Sequence, residues 1–359
     1  MLAQIERKIV NGERINEEEA IFLFNSDEIH IIGQLADEVS KRINHNRVYF
    51  IINRHINPTN ICINRCRFCA FSRSKGEPGA YEMSIEDIIQ RLKEAEQSSQ
   101  HISEVHIVSG LHPEWSFEDY LNIISAIKKE FPSIGIKAFT AVEVDYFARL
   151  SGLTLEQTLL RLKEAGVDIM PGGGAEIFNQ DVRNRICPEK ISGERWLEVI
   201  KTAHALGIKT NATMLYGHLE SYEHRVEHLF RLRSLQDETE GFLAFIPLSY
   251  QPENNDIKVP YPSGIDDLKT IAVSRLVLDN IPHVKAYWIM LGEKLAQVAL
   301  LFGADCLEGT VIDEKVAHFA GARSKHGVSV YELVHTIKEA GRIPAERDTF
   351  YNILRIWQD

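Results

Sequence analysis

Asn60-Ile-Cys62-Ile-Asn-Arg-Cys66-Arg-Phe68-Cys69-Ala-Phe71 places three of the chain's five cysteines within eight residues, spaced C-x3-C-x2-C. Thiolates this close in sequence converge on one object. Three ligands are one short of the four that a closed zinc site or a fully ligated iron–sulfur cluster takes. A cubane [4Fe–4S] cluster held by Cys62, Cys66 and Cys69 keeps one iron without a protein ligand, open to a substrate as catalytic metal sites are. A zinc knuckle with a distant fourth ligand, or three buried thiols, is the alternative. Cys187 and Cys306 form no second ligand pair and read as small buried hydrophobes.

Working outward, Arg47-Val-Tyr-Phe-Ile-Ile-Asn53 is a first strand that feeds the cysteine loop. Ahead of it, residues 15–45 read as two short helices. Behind the loop, strand and helix alternate. Further strands are expected at Glu104–Ser109, Ile134–Thr140, Val167–Met170, Ile208–Leu215, Phe242–Leu248, Val284–Ile289 and Asp305–Glu308. Ser84, Ser116, Thr154, Ser192 and Ser221 are placed to cap the helices between them, and Gly166 and Gly207 to end two of them. The strands are short continuous apolar runs, as in a parallel sheet buried on both faces. The expected fold is α/β, a TIM-type (β/α)8 barrel over residues 46–312. A helical extension, 1–45, precedes it. A mainly helical tail, 313–359, packs on it.

Composition narrows the function classes. The net charge is −11, and no Lys/Arg-rich run exists to neutralise phosphates, so nucleic acid is not expected as a partner. No apolar run approaches a membrane span, and Met1-Leu-Ala-Gln-Ile-Glu-Arg-Lys8 has no signal-peptide core. An odd number of cysteines with three clustered speaks against a disulfide framework and for a reducing, cytoplasmic setting.

In a barrel of this kind the loops after the strands build the active site. Those loops hold Ser109-Gly110-Leu111-His112-Pro113, Thr140-Ala-Val-Glu143, Pro171-Gly172-Gly173-Gly174-Ala175-Glu176, Tyr216-Gly217-His218 and Tyr250-Gln251. Gly110 permits close backbone approach to a ligand, or simply a tight turn. Glycines 172–174 suit bare backbone against a flat ligand, or a flexible loop. Glu143 and Glu176 are carboxylates for hydroxyl or ammonium groups; helix capping or ion pairing is the alternative. His112, Tyr216, His218, Tyr250, Gln251 and His318 are substrate-side candidates, although a lone histidine is more often structural.

The cysteine spacing, with Phe68 before the third cysteine, resembles the radical S-adenosylmethionine (SAM) enzymes. Gly110-Leu-His-Pro113, Lys137-Ala-Phe-Thr-Ala-Val-Glu143, Pro171-Gly-Gly-Gly-Ala-Glu176 and Ala212-Thr-Met-Leu-Tyr-Gly-His218 are similar to the menaquinone/F420-type branch of that family. The resemblance implies a [4Fe–4S] cluster whose open iron chelates SAM, and reductive release of a 5′-deoxyadenosyl radical. It implies SAM contacts at Phe68, Ser109, Gly110, Glu143, Gly173, Glu176 and Arg195. Ser109 stands where the branch usually has Gly. Arg195 would pair with the SAM carboxylate, the alternative being a solvated helical arginine.

Phe245-Ile-Pro-Leu248, Gln251-Pro-Glu-Asn254, His318-Phe-Ala-Gly-Ala322 and Gly341-Arg-Ile-Pro-Ala-Glu-Arg-Asp348 point, by resemblance, to one transferase activity of the branch. There the radical adds to the enolpyruvyl double bond of 3-[(1-carboxyvinyl)oxy]benzoate in menaquinone biosynthesis, leaving methionine. An external electron donor such as flavodoxin or ferredoxin is implied. Two buried substrate carboxylates require cations or neutral donors, for which Arg73, His112, His218 and Arg323 are candidates. The strand-8 loop and tail are placed to act as a lid. The cyclising radical enzyme of the same pathway shares the cysteine loop and the Pro-Gly-Gly-Gly-Ala-Glu run. An electron carrier without radical chemistry would need a fourth cysteine nearby.

Overall fold

The computed structural model describes residues 1–98 and 101–358. Three helices lead, α1 (Leu2–Val10), α2 (Glu17–Asn25) and α3 (Ile29–Asn44). The first was not foreseen; it buries Ile5 and Ile9, one turn apart on one face.

The stretch Arg47–Asn53 is not one strand but the start of two, β1 (Arg47–Ile51) and β2 (Asn53–Ile56). The break at Ile52 is made from far along the chain. Thr310 Oγ1 accepts from Asn53 N at 3.1 Å and donates to Asn53 O at 3.0 Å, so those backbone groups leave the ladder.

Then follow α4 (Ile85–Ser98), β3 (Glu104–Ile107), α5 (Phe117–Glu130), β4 (Gly135–Ala138), α6 (Ala141–Ser151), α7 (Leu155–Ala165) and β5 (Ile169–Met170). Next come α8 (Gln180–Ile186), α9 (Gly193–Ala205), β6 (Lys209–Tyr216), α10 (Tyr222–Thr239), β7 (Phe242–Ser249), α11 (Gly264–Val277) and β8 (His283–Val284). The capping residues act as read: Thr154 and Gln157 form a capping box, and Gly166 closes α7 in the left-handed region.

Seven parallel strands lie in the order β2-β3-β4-β5-β6-β7-β8. Strand β8 is shorter than expected because Trp288 already opens α12 (Trp288–Leu291), which α13 (Glu293–Ala299) follows. The eighth barrel strand is β9 (Cys306–Gly309). It joins β8 through a parallel bridge of Lys285 with Cys306, and it pairs with β1 on its other side. The eight-stranded parallel arrangement closes there, with the helices outside it.

After α14 (Val316–Phe319) and α15 (Val330–Glu339) come β10 (Ile343–Arg347) and β11 (Ile353–Ile356). The tail is therefore not mainly helical. The bend at Ile52 leaves the lower half of β1 outside the barrel ladder, and β10 pairs with it in parallel, Arg47 opposite Ile343 and Phe50 opposite Glu346.

The interior departs from the usual TIM-barrel filling of branched apolar layers. His55, His106 and Lys137 face one another in register on β2, β3 and β4. Polar side chains here leave the upper barrel unfilled, and a cavity of about 320 Å³ opens among the strand ends.

Candidate active site

The cysteine loop is pinned to three different segments. Cys62 N donates to Arg73 O (3.1 Å), Ile63 N to Leu111 O (3.0 Å) and Arg67 N to Ile186 O (2.8 Å). Cys62, Cys66 and Cys69 are free thiols, and all three line the cavity. Burial pushes the Cys66 thiol up to about 12 and raises Cys62 too. Neutral thiols are thus the stable form of this loop when nothing compensates their charge.

Gly110 also lines the cavity, but the close approach it permits is to the protein. A Cβ there would sit 2.2 Å from Ile61 O. Glycines 172–174 share this correction. Added Cβ atoms would meet Ala212 backbone at 2.7 Å, Thr140 Cγ2 at 2.9 Å and Val142 Cγ2 at 2.4 Å, so their smallness first serves strand packing. All three still line the cavity.

Ser109 and Glu143 form one unit. Glu143 Oε1 accepts from Ser109 N at 2.9 Å while Oε2 accepts from Thr140 N at 2.7 Å, completing the capping box of α6. Burial raises the Glu143 carboxyl to about 7 against these donors. Glu176 sits at φ 46°, in the left-handed region, and takes Lys190 Nζ at 2.5 Å. Burial would lower Lys190, but Cys66 in its thiolate form and Glu176 outweigh it and raise the ammonium. Lys190 also lies 5.0 Å over the Phe68 ring. Phe68, Ser109, Glu143, Glu176 and Gln251 all border the cavity. Gln251 Nε2 is committed to Ser249 O and Met290 O.

Other candidates do not border the cavity. His112 is fully buried behind the loop; its Nδ1 accepts from Glu114 N and Trp115 N, and Nε2 faces Glu82 at 3.2 Å. Tyr216 donates to Asp267 Oδ1 at 2.7 Å. His218 bonds Leu215 O through Nε2 and accepts from Leu219 N at Nδ1. These three hold backbone and helix in place, and none borders the cavity. Arg195 pairs with Asp145 (2.7 Å) and Glu198 (2.8 Å) on the half-exposed flank of α9, turned from the cavity because two carboxylates hold it there. Nor do Arg73 and Arg323 border it: Arg73 is tied to Ala70 O and Ser72 O, and Arg323 faces Glu253 in solvent.

Glu314, Val316, Ala317 and Ala320 close over the cavity rim. His318 locks this segment, with Nδ1 2.9 Å from Glu314 O and Nε2 3.3 Å from Ser324 O. The hydrogen bond to Glu314 raises His318 from 6.5 to about 9. A raised folded value means the stabilisation is complete below about 6.5 and is lost as pH climbs through about 9. Hydrogen exchange in residues 313–328, corrected for its intrinsic pH dependence, is expected to accelerate across that window. In H318Q the pH-dependent step should vanish; if it persists, the lock lies elsewhere.

The chain is 43% identical to the aminodeoxyfutalosine synthase of Thermus thermophilus, across 99% of this chain and 96% of that one. Residues 56–232 match the radical SAM superfamily, and residues 239–359 match the CofH/MqnC C-terminal region. The chain belongs to the radical SAM superfamily. Relatives named for other activities are nearly as similar. A 5-amino-6-(D-ribitylamino)uracil–L-tyrosine 4-hydroxyphenyl transferase of Methanopyrus kandleri is 42% identical over 91% of this chain and 89% of its own. A cyclic dehypoxanthine futalosine synthase of Streptomyces coelicolor is 39% identical over 97% and 88%. The fold superposes on methylornithine synthase with a TM-score of 0.76 at 18% identity, covering 95% of this chain and 97% of that one.

This is therefore an enzyme of the class that uses SAM and an iron–sulfur cluster. Among the described residues no group of three His, Cys, Asp or Glu side chains is tight enough for a single metal ion. A cluster asks something else, since each thiolate takes a different iron. Three free thiols on one loop at a cavity wall, next to a partly buried ammonium, fit that demand. Among the described residues no helix is long and apolar enough to cross a membrane.

Two features of this radical SAM site escaped the sequence reading. Lys190 is not among the residues singled out from the sequence, and its position two residues after Cys187-Pro188 gives no signal. Of the cavity floor, His106, Lys137, Asn211 and Glu308 fall in stretches expected as apolar strands, and His55 lies just past the first expected strand. A partial signal is present in the alternation Glu104-Val105-His106.

Proposed function

We propose that the chain is an aminodeoxyfutalosine synthase, joining the adenosyl unit of SAM to 3-[(1-carboxyvinyl)oxy]benzoate, with rearrangement and loss of one carboxyl group, to give 6-amino-6-deoxyfutalosine and methionine. The observation that carries this is one cavity with the three thiols at its mouth, apolar walls, and a lysine at its floor. Cys62, Cys66 and Cys69 would hold a [4Fe–4S] cluster, which when bound would supply the electron for reductive cleavage of the SAM sulfonium to methionine and a 5′-deoxyadenosyl radical. Phe68 offers its face to the adenine. The backbone at Ser109 and Gly110, fixed by Glu143, and the carboxylate of Glu176 bind the polar groups of SAM. Ile246, Leu248 and Met290 hold an aromatic ring and keep water from the radical. The segment carrying Glu314 and His318 closes over both reactants. Electrons come from a small carrier such as flavodoxin or ferredoxin, in a reducing cytoplasm.

Anaerobic incubation with SAM, dithionite and the enolpyruvyl benzoate, followed by mass spectrometry, tests this. An adduct carrying the adenosyl unit, formed with one methionine each, is the expected result. Free 5′-deoxyadenosine released in step with a cyclised product, in a parallel incubation with dehypoxanthine futalosine in place of the benzoate, would overturn it in favour of the cyclase.

A further inference from the structure

The barrel interior at and beneath the cavity floor holds more buried positive charge than negative. Lys137 Nζ lies 2.6 Å from Glu104 and 3.0 Å from Glu308. Lys285 also pairs with Glu308. Arg347 reaches the same carboxylates' field from β10, yet donates to Asp348 O and leaves Nε and Nη2 without a partner. All five side chains are buried, which sets three cations against two carboxylates. The next acid, Asp305, is taken by His283 and by the backbone N–H of Val284. Glu176 and Glu314 are matched by Lys190 and His318. An unmatched buried charge is costly, so the floor calls for an anion. Lys285 responds as expected: burial lowers it despite Glu308, whereas two carboxylates keep Lys137 raised.

Of these three cations, Lys137 borders the cavity. Its register neighbour His106 adds a neutral donor. His106 Nδ1 faces His55 Nε2 at 3.4 Å, and its Nε2 is buried without a partner. With His55 donating, the His106 proton sits on Nε2. An ammonium beside a free N–H donor is a carboxylate site.

We propose that Lys137 and His106 bind the carboxylate on the aromatic ring of the substrate, and thereby set which end of it faces the cysteine loop. This rests on the synthase reading above. The reacting double bond must lie at the thiol end, where SAM binds, so the group reaching the floor is the one at the far side of the ring. The residues facing the ring between the two ends, such as Ile246 and Leu248, are apolar.

The test compares kcat/KM for 3-[(1-carboxyvinyl)oxy]benzoate and for its ring carboxamide, 3-[(1-carboxyvinyl)oxy]benzamide. The wild-type enzyme is expected to prefer the carboxylate by roughly 10- to 100-fold, as for a lost charge-assisted bond. The paired variant Lys137→Met with Glu104→Gln removes one charge of each sign and leaves no new unmatched carboxylate. Its preference is expected to fall within about threefold. Equal turnover of both compounds by the wild type overturns the inference alone, and that arm decides even where the variant does not fold. A folded variant that keeps the preference overturns it as well. No turnover of either compound by the wild type overturns the synthase reading, and this inference falls with it.

Discussion

Cys66→Ala is expected to lower turnover by at least about 10³-fold, as for loss of one member of a group that acts as a unit. Its thiol lines the cavity with those of Cys62 and Cys69, and no other cysteine does. Two thiolates hold a cluster poorly, so iron content and visible absorbance should fall together with activity. The fold should survive. The side chain is small, burial already holds it as a neutral thiol, and the void left by one sulfur costs about 1 kcal/mol. Far-ultraviolet circular dichroism should therefore match the wild type. Cys187→Ala is the control. Cys187 is buried at the end of α8 but does not border the cavity, so this variant should keep its iron. Retained turnover in Cys66→Ala would show that the ligand set is wrong. Equal iron loss in both variants would show that packing, not ligation, is being measured.

What the sequence made legible was what is local. The three cysteines could be assigned to one object because their spacing is short. The helix starts at Ser116, Thr154, Ser192 and Ser221 were legible because a cap is a contact over three residues. What stayed hidden depends on partners far along the chain. Nothing within Phe50-Ile51-Ile52-Asn53 marks a strand break, since Thr310 makes it from 257 residues away. Likewise β10 is a strand only because β1 offers an edge. Glycines are legible as points of close approach, but a sequence does not say whether backbone, ligand or both lie opposite. The histidines failed for a related reason. His112 and His218 stand in strand-end loops, yet each is spent on backbone groups within a few residues.

Gly110→Ala is expected to do nearly as much harm as losing a cysteine. The added Cβ would lie 2.2 Å from Ile61 O and 2.8 Å from Ile61 C, and backbone cannot swing aside as a flexible side chain can. Two hydrogen bonds flank the clash and would open with it, Gly110 N to Thr59 O (3.0 Å) and Ile63 N to Leu111 O (3.0 Å). Both anchor the loop that carries Cys62. Overpacking of this kind costs about 1–3 kcal/mol, which a barrel of this size tolerates. Thiol placement is less forgiving, because displacement of a ligand by about 1 Å is enough to spoil a site. Iron loading should fall severalfold and turnover by roughly 100-fold, with circular dichroism unchanged. Gly76→Ala separates this from a general effect of alanine in the loop. Gly76 has φ 80° but nothing within 4 Å of an added Cβ, so its cost is confined to about 1 kcal/mol of local strain. Full iron loading in Gly110→Ala would mean that the loop adjusts freely, and that the contact with Ile61 does not position the cysteines.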